Sequence, residues 1–166
     1  MAEVNAKTSV LINQAKAFEH LVTGSSGTMQ AVMQMVNKVA ETDAAVLITG
    51  EHGTGKEMLA KYIHSQSKRG MEPFIHADLH SITGSLFEST LFGHVKGAFT
   101  DAQEDRTGLI EAANLGTLLL DELASLPLAL QAKLLTVLQN RVVNRIGDNR
   151  NKAVDFRLIS TSHLSL

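Results

Sequence analysis

Apolar positions along the chain follow two alternating rhythms. Leu11, Ala15, Phe18 and Val22 recur at helical spacing and predict an amphipathic helix over residues 8–21. Thr23-Gly24-Ser25-Ser26-Gly27 interrupts it with turn formers, as a linker or an entry into the main domain does. Met29, Val32, Met33 and Val36 then share one stripe of a second helix, with Ser26 or Thr28 available to cap it. Ala45-Val46-Leu47-Ile48-Thr49 is instead a continuous apolar run ending at Gly50, which reads as a strand buried on both faces.

The same alternation continues downstream. A helix is expected from Lys56, with Leu59 and Ile63 on its buried side. Phe74-Ile75 opens a second strand after Pro73, Gly116 to Leu120 forms a third, and Phe156 to Ser160 a fourth. Between the last two, Pro127 stands where a first helical residue would, and Leu130, Leu134, Val137 and Leu138 supply the apolar stripe. Strands alternating with helices imply an α/β fold with a mostly parallel sheet.

Composition narrows the chemistry. The 166 residues suit one domain, residues 23–166, preceded by a linker helix over 1–22. A 44% apolar, 19% charged chain is an ordinary globular composition, and a net charge of −2 gives no global pull on nucleic acid. The absence of cysteine excludes disulfides, thiol nucleophiles and cysteine-ligated metals. Met1 to Val10 carries Glu3, Asn5, Lys7 and Thr8 and lacks a signal peptide's apolar core, and no apolar run is long enough to cross a bilayer. The expected location is cytoplasmic, with no membrane contact.

Gly50-Glu51-His52-Gly53-Thr54-Gly55-Lys56-Glu57 matches the first seven places of the phosphate-binding loop G-x-x-x-x-G-K-[ST] between an expected strand and an expected helix. Glycines let the backbone turn so that successive N–H groups face phosphate oxygens, and the helix that follows adds the positive end of its dipole. Lys56 is expected on the β- and γ-phosphates. Glu57 departs from the Ser or Thr that normally touches Mg²⁺; the alternative is a glycine-rich turn with no ligand.

Such a loop needs a second acidic element at a neighbouring strand end. Thr117-Leu118-Leu119-Leu120-Asp121-Glu122 delivers two carboxylates to the carboxyl edge of the sheet. Asp121 is expected to hold Mg²⁺ directly or through water, and Glu122 to act as general base on the attacking water. Taken alone, the pair would read as a solvated acidic turn.

These residues together resemble the AAA+ domain of bacterial sigma-54-dependent activators, the NtrC-type enhancer-binding response regulators. Gly50 to Glu57 is similar to that family's GESGTGKE, in which the final Glu is usual. Leu91 to Ala102, LFGHVKGAFTDA, looks like LFGHEKGAFTGA. Gly116 to Glu122 resembles GTLFLDE, and Asp155 to Thr161 resembles the DVRIIAA strand leading to sensor I. The likeness covers about residues 20 to 163. It implies a three-layer α/β/α P-loop NTPase core binding ATP with Mg²⁺. It also implies that Val22 lines the adenine pocket and that Arg145 senses nucleotide state. Gly97, Ala98, Phe99, Thr100, Asp101 and Ala102 become the loop that pushes on sigma-54 RNA polymerase holoenzyme from a homo-oligomeric ring. From the residues alone, Phe99 is either a mobile contact or an anchor on the core.

The chain departs from that pattern at several points. His52 replaces a Ser. Asp101 replaces the second Gly of GAFTGA, which puts a charge and a Cβ where the family keeps bare backbone. Asp78 stands where the family has the Asn that restrains the catalytic Glu, so two carboxylates are expected close together, with one pKa raised. Ser162-His163 takes the place of the sensor I Thr-Asn pair, leaving His163 as a phosphate contact or a surface residue. The family's arginine finger, helical lid and sensor II follow sensor I and are missing here, as are the DNA-binding helix-turn-helix and any receiver. An arginine finger is worth roughly 10³ to 10⁵ in rate, so very weak hydrolysis is expected from a fragment of a larger regulator. The alternative is a degenerate regulator that uses nucleotide or another ligand for oligomerisation without driving sigma-54; a chaperone or protease ATPase subunit is a third.

Other residues point to less. His76 and His80 are four apart and could share a helix face, but no third ligand is evident, so no metal site is expected there. His94 reads as structural. Ser160, Ser162 and Ser165 lack a nucleophile-elbow pattern. Lys68-Arg69 reads as a solvated helix end.

Overall fold

A computed structural model describes residues 27–163. The expected helix over 8–21, Val22 and the linker up to Ser26 lie outside the described residues. In chain order the elements begin with α1 (Gly27–Ala40), β1 (Val46–Thr49), α2 (Lys56–Ser65) and β2 (Phe74–Asp78). They continue with α3 (Phe87–Phe92), β3 (Gly93–His94), β4 (Arg106–Thr107), α4 (Leu109–Ala112) and β5 (Thr117–Asp121). The last are α5 (Leu128–Asn140), β6 (Val142–Val143), β7 (Lys152–Ala153) and β8 (Arg157–Ser162), with 3₁₀ turns at Gly84–Leu86 and Leu123–Ser125.

The four longer strands form one sheet in the order β1-β8-β5-β2, every pair parallel. Alternation along the central strands separates two apolar layers. Leu118, Leu120 and Leu158 face a core with Phe87, Leu91, Phe92, Ile110, Leu134 and Val137, contributed by α3, α4 and α5. Leu119 and Ile159 face the other way, onto Val36 and Ala40 of α1 and Ala60 and Ile63 of α2. Helices therefore cover both faces, the three-layer α/β/α arrangement expected. Each fully buried leucine of β5 contributes about 2–3 kcal/mol of burial. No helix among the described residues is long and apolar enough to cross a membrane.

One expectation about burial is corrected. β1 is not buried on both faces: it is an edge strand among the described residues, and Leu47 is 42% exposed. Along the expected stripe of α1, Val36 is buried and Met33 packs on the same core, while Met29 and Val32 are exposed. Thr28 falls inside the first turn of α1 rather than before it.

A buried arginine holds α1 to the sheet. Arg157 of β8 is almost fully buried and donates to the carbonyls of Val39 (2.7 Å), Ala40 (3.1 Å) and Ala44 (3.2 Å). It satisfies the carbonyls that the helix end leaves open, at the negative pole of the helix dipole. Desolvation lowers its pKa from the usual value, with the Asp43 charge opposing. Arg69 is likewise no solvated helix end. It pairs with Asp43 and Asp155 and donates to the carbonyls of Leu115 and Asp155.

Candidate active site

Because all four strands run the same way, their carboxyl ends meet on one edge of the sheet. Gly50 follows β1, His163 follows β8, Glu122 follows β5, and Asp78 ends β2 in register with Asp121. A cleft of about 440 Å³ opens there, lined by His52, Gly53, Thr54, Gly55, Lys56, Glu57, Met58, Asp78, His80, Asp121 and Glu122.

The loop between β1 and α2 adopts the backbone its glycines permit. Gly53 and Gly55 have φ of 77° and 85°, a left-handed geometry that residues with a Cβ rarely adopt. A Cβ on Gly53 would meet nothing within 4 Å, so the outer side of the turn is open. Thr54 closes the turn by donating to the Glu51 carbonyl at 2.7 Å. Lys56, at the start of α2, donates to the carbonyls of Gly50 (2.8 Å) and Glu51 (2.9 Å). Its ammonium is thus tied to its own loop while remaining in the same cleft as Asp121 and Glu122. Glu57 pairs with Lys61 at 2.7 Å, and that hydrogen bond holds its carboxyl below the ordinary range, against burial.

The acidic corner rests on a residue the sequence reading passed over. The buried hydroxyl of Thr161 in β8 donates to Asp121 and accepts the backbone N–H of Glu122 at 3.0 Å. Glu122 is 5% exposed and has φ 62°, ψ 59°, a left-handed geometry costing about 1 kcal/mol for a residue with a side chain. The polar run Ser160-Thr161-Ser162 within a buried strand was the signal available in the sequence.

His163 is exposed and bonded to Glu122. Its ring Nδ1 lies 2.6 Å from Glu122 Oε2, and its backbone N–H donates to the same oxygen at 3.3 Å. Burial works to raise the Glu122 pKa; the hydrogen bonds from His163, with the charges of His163 and Lys56, outweigh it and leave the carboxyl below its usual value. The expected carboxylate repulsion is corrected accordingly. Asp78 lines the cleft, but its carboxylate accepts the His80 amide at 3.0 Å, and neither Glu122 nor Glu57 is raised on balance.

The histidines are placed differently from the sequence expectation. His76 sits on β2, not on a helix, and its ring lies between Glu57 (3.5 Å) and Asp121 (3.7 Å). His80 lies beyond the strand end against Ser125 Oγ. His94 is buried against Ser89 Oγ at 2.7 Å, the structural role expected.

Arg145 is not brought to the cleft. Its guanidinium grips both oxygens of Glu111 (2.6 and 3.0 Å) and reaches Thr107. None of residues 97–102 is among the residues that line the cleft. Gly97 and Ala102 close this loop with a 2.8 Å backbone bond, and Ala102 is buried. Phe99 is 40% exposed while its ring meets buried His94 edge-on, centroids 4.9 Å apart, so it is partly anchored and partly presented to solvent. Asp101 is exposed and outside the left-handed region, so its Cβ is accommodated in this conformation.

The chain is similar to known regulators along most of its length. The transcriptional regulatory protein FlgR of Helicobacter pylori is 44% identical over 151 residues, 91% of this chain and 40% of FlgR. The crystal structure of NtrX from Brucella abortus superposes with TM-score 0.78 at 36% identity, covering 87% of this chain and 32% of NtrX. NtrX has also been crystallised with ADP and with ATP, each at TM-score 0.77. The P-loop NTPase domain of an Escherichia coli sigma-54 activator shares the fold at TM-score 0.56 and 22% identity, over 82% of this chain and 77% of that one. The chain spans well under half the length of FlgR and NtrX. The family described as the sigma-54 interaction domain matches residues 22–166. With a P-loop, an acidic strand end and a GAFT element on one α/β/α core, this chain belongs to the sigma-54 interaction domain family.

Proposed function

We propose that the cleft binds ATP with Mg²⁺ and that, in the intact protein, its hydrolysis drives remodelling of sigma-54 RNA polymerase holoenzyme. The observation that carries the reading is the convergence of Lys56, the left-handed glycine turn, Asp121 and Glu122 on one open cleft. The residues suit the ligand. The turn leaves space outside Gly53, the N-terminus of α2 points its dipole there, and the ammonium and carboxylates are those a Mg-nucleotide needs. NtrX, similar over most of this chain, is known with ADP and ATP bound.

Within that cleft each residue has a distinct task. Lys56 exchanges its bonds to two uncharged carbonyls for contacts with phosphate, in which both partners carry charge. Bound Mg²⁺ would neutralise developing phosphate charge, and Asp121, steadied by Thr161, is the carboxylate placed to hold it. Glu122 acts as base toward water, and His163 fixes its orientation where the family pattern has Asn. Calorimetry with Mg-ATP on this chain beside Lys56→Ala tests the reading: heat with the parent chain and none with the variant supports it, and equal heats refute it.

Asp101, Asp78 and His163 favour a second reading, a core that binds nucleotide for oligomerisation without driving sigma-54. Capture of sigma-54 by the intact protein with a transition-state analogue separates the two. Retention supports the motor; none, with ATP still bound, supports the scaffold.

A further inference from the structure

His52, Glu122 and His163 come from three strand ends and meet above the phosphate loop. One nitrogen of each ring and one carboxylate oxygen all lie within 4.8 Å of one another. The two imidazoles are stacked, centroids 4.7 Å apart, and His163 touches the carboxylate at 2.6 Å. His52 on the turn and His163 after β8 are exposed, and Glu122 between them is buried. We infer that these three side chains form a binding site for a divalent transition metal, zinc being the best fit, which locks the catalytic carboxylate when loaded.

The donor set decides the metal class. Mg²⁺ takes oxygen ligands in octahedral geometry and leaves imidazole unused. Two imidazoles and one carboxylate, with a fourth place open to water, is a set that zinc adopts, and imidazole also suits copper and nickel. Zinc–nitrogen bonds of about 2.0–2.1 Å require donors roughly 3.4 Å apart in a tetrahedron. The His163–Glu122 pair, at 2.6 Å, opens by roughly 0.8 Å to reach that spacing, and the exposed ring of His52 moves in to complete the set. Zinc would replace the His163–Glu122 hydrogen bond with two coordinate bonds and tie the phosphate loop to the acidic corner.

The binding claim rests on geometry alone, whereas the regulatory consequence rests on Glu122 being the base of the proposed ATPase. With the base coordinated and His52 drawn over the turn, zinc acts as an inhibitor of that site, and nucleotide and zinc oppose one another by linkage.

Calorimetric titration with Zn²⁺, and the visible spectrum with Co²⁺, on the untagged chain without nucleotide test the site directly. One equivalent of Zn²⁺ and a tetrahedral Co²⁺ spectrum are expected. His52→Ser and His163→Asn should each weaken binding by more than the roughly 10–100-fold that loss of even an outer-shell partner costs. His80→Asn, with its ring 6.5 Å from His52, should leave it unchanged. Absence of stoichiometric zinc, or zinc affinity equal in the parent and both ligand variants, overturns the proposal. Lys56→Ala separates it from the nucleotide reading, because that variant should lose Mg-ATP while keeping zinc. Zinc without ATP in the parent chain would remove the ATPase and keep the metal site; ATP without zinc would do the reverse.

Discussion

His64 makes the stability of this domain fall in mild acid by a calculable amount. It is 1% exposed on α2, its Nδ1 lies 2.9 Å from Thr117 Oγ1 of β5, its ring packs against Phe74, and its Nε2 has no hydrogen-bond partner. Burial pushes its pKa from the ordinary 6.5 to about 4, opposed by the Glu72 backbone and assisted by the Arg157 charge. The folded state therefore holds the neutral ring while the unfolded chain takes up a proton as soon as the pH drops below 6.5. Stability attributable to this site is intact above that value, declines as pH falls through the interval to about 4, and levels off below it. At 1.36 kcal/mol per unit, the loss between pH 7 and pH 5 is about 2 kcal/mol, and the full loss about 3 kcal/mol. Urea unfolding at both pH values, for the parent chain and His64→Gln, isolates the effect. The variant has its own pH-independent offset and should lose about 2 kcal/mol less than the parent on acidification. Parallel losses in the two proteins would refute the buried neutral imidazole.

Other substitutions probe separate links. Arg157→Met removes three charge-assisted bonds worth about 1.5–3 kcal/mol each, partly offset by the guanidinium desolvation it relieves. A net loss of about 3 kcal/mol, read as a fall of about 10 °C in Tm by calorimetry, is expected. Thr161→Val leaves the Glu122 amide and one Asp121 oxygen without their partner, which should cost about 1–3 kcal/mol in unfolding experiments and weaken Mg-ATP binding. His163→Ala removes the ring's hydrogen bond and charge from Glu122 while leaving the backbone N–H bond, so the Glu122 carboxyl should titrate at higher pH in carbon-detected NMR. Phe99→Ala should change stability by less than about 1.5 kcal/mol, since the ring is only partly covered, while reducing sigma-54 capture by the intact protein if this loop is its contact.

The sequence by itself determined the strands, the phosphate loop and the acidic corner, because each is encoded by neighbours: a continuous apolar run, a glycine spacing, two carboxylates at a strand end. Leu118, Leu119 and Leu120 could be placed in a strand from their order alone, and Lys56 at a helix start from the glycines before it. Short pairs such as β3–β4 and β6–β7 were missed, since two residues carry no periodicity. Which strand lies at an edge depends on what packs beside it, so only the tertiary structure exposed Leu47. The sheet likewise decided that Arg157 caps α1, that Thr161 braces Asp121, that His163 holds Glu122, and that Arg145 serves Glu111 instead of the cleft. Those contacts join residues distant in the chain, and the order β1-β8-β5-β2 that brings them together arises from burying both faces of a parallel sheet at once, a constraint no local segment contains.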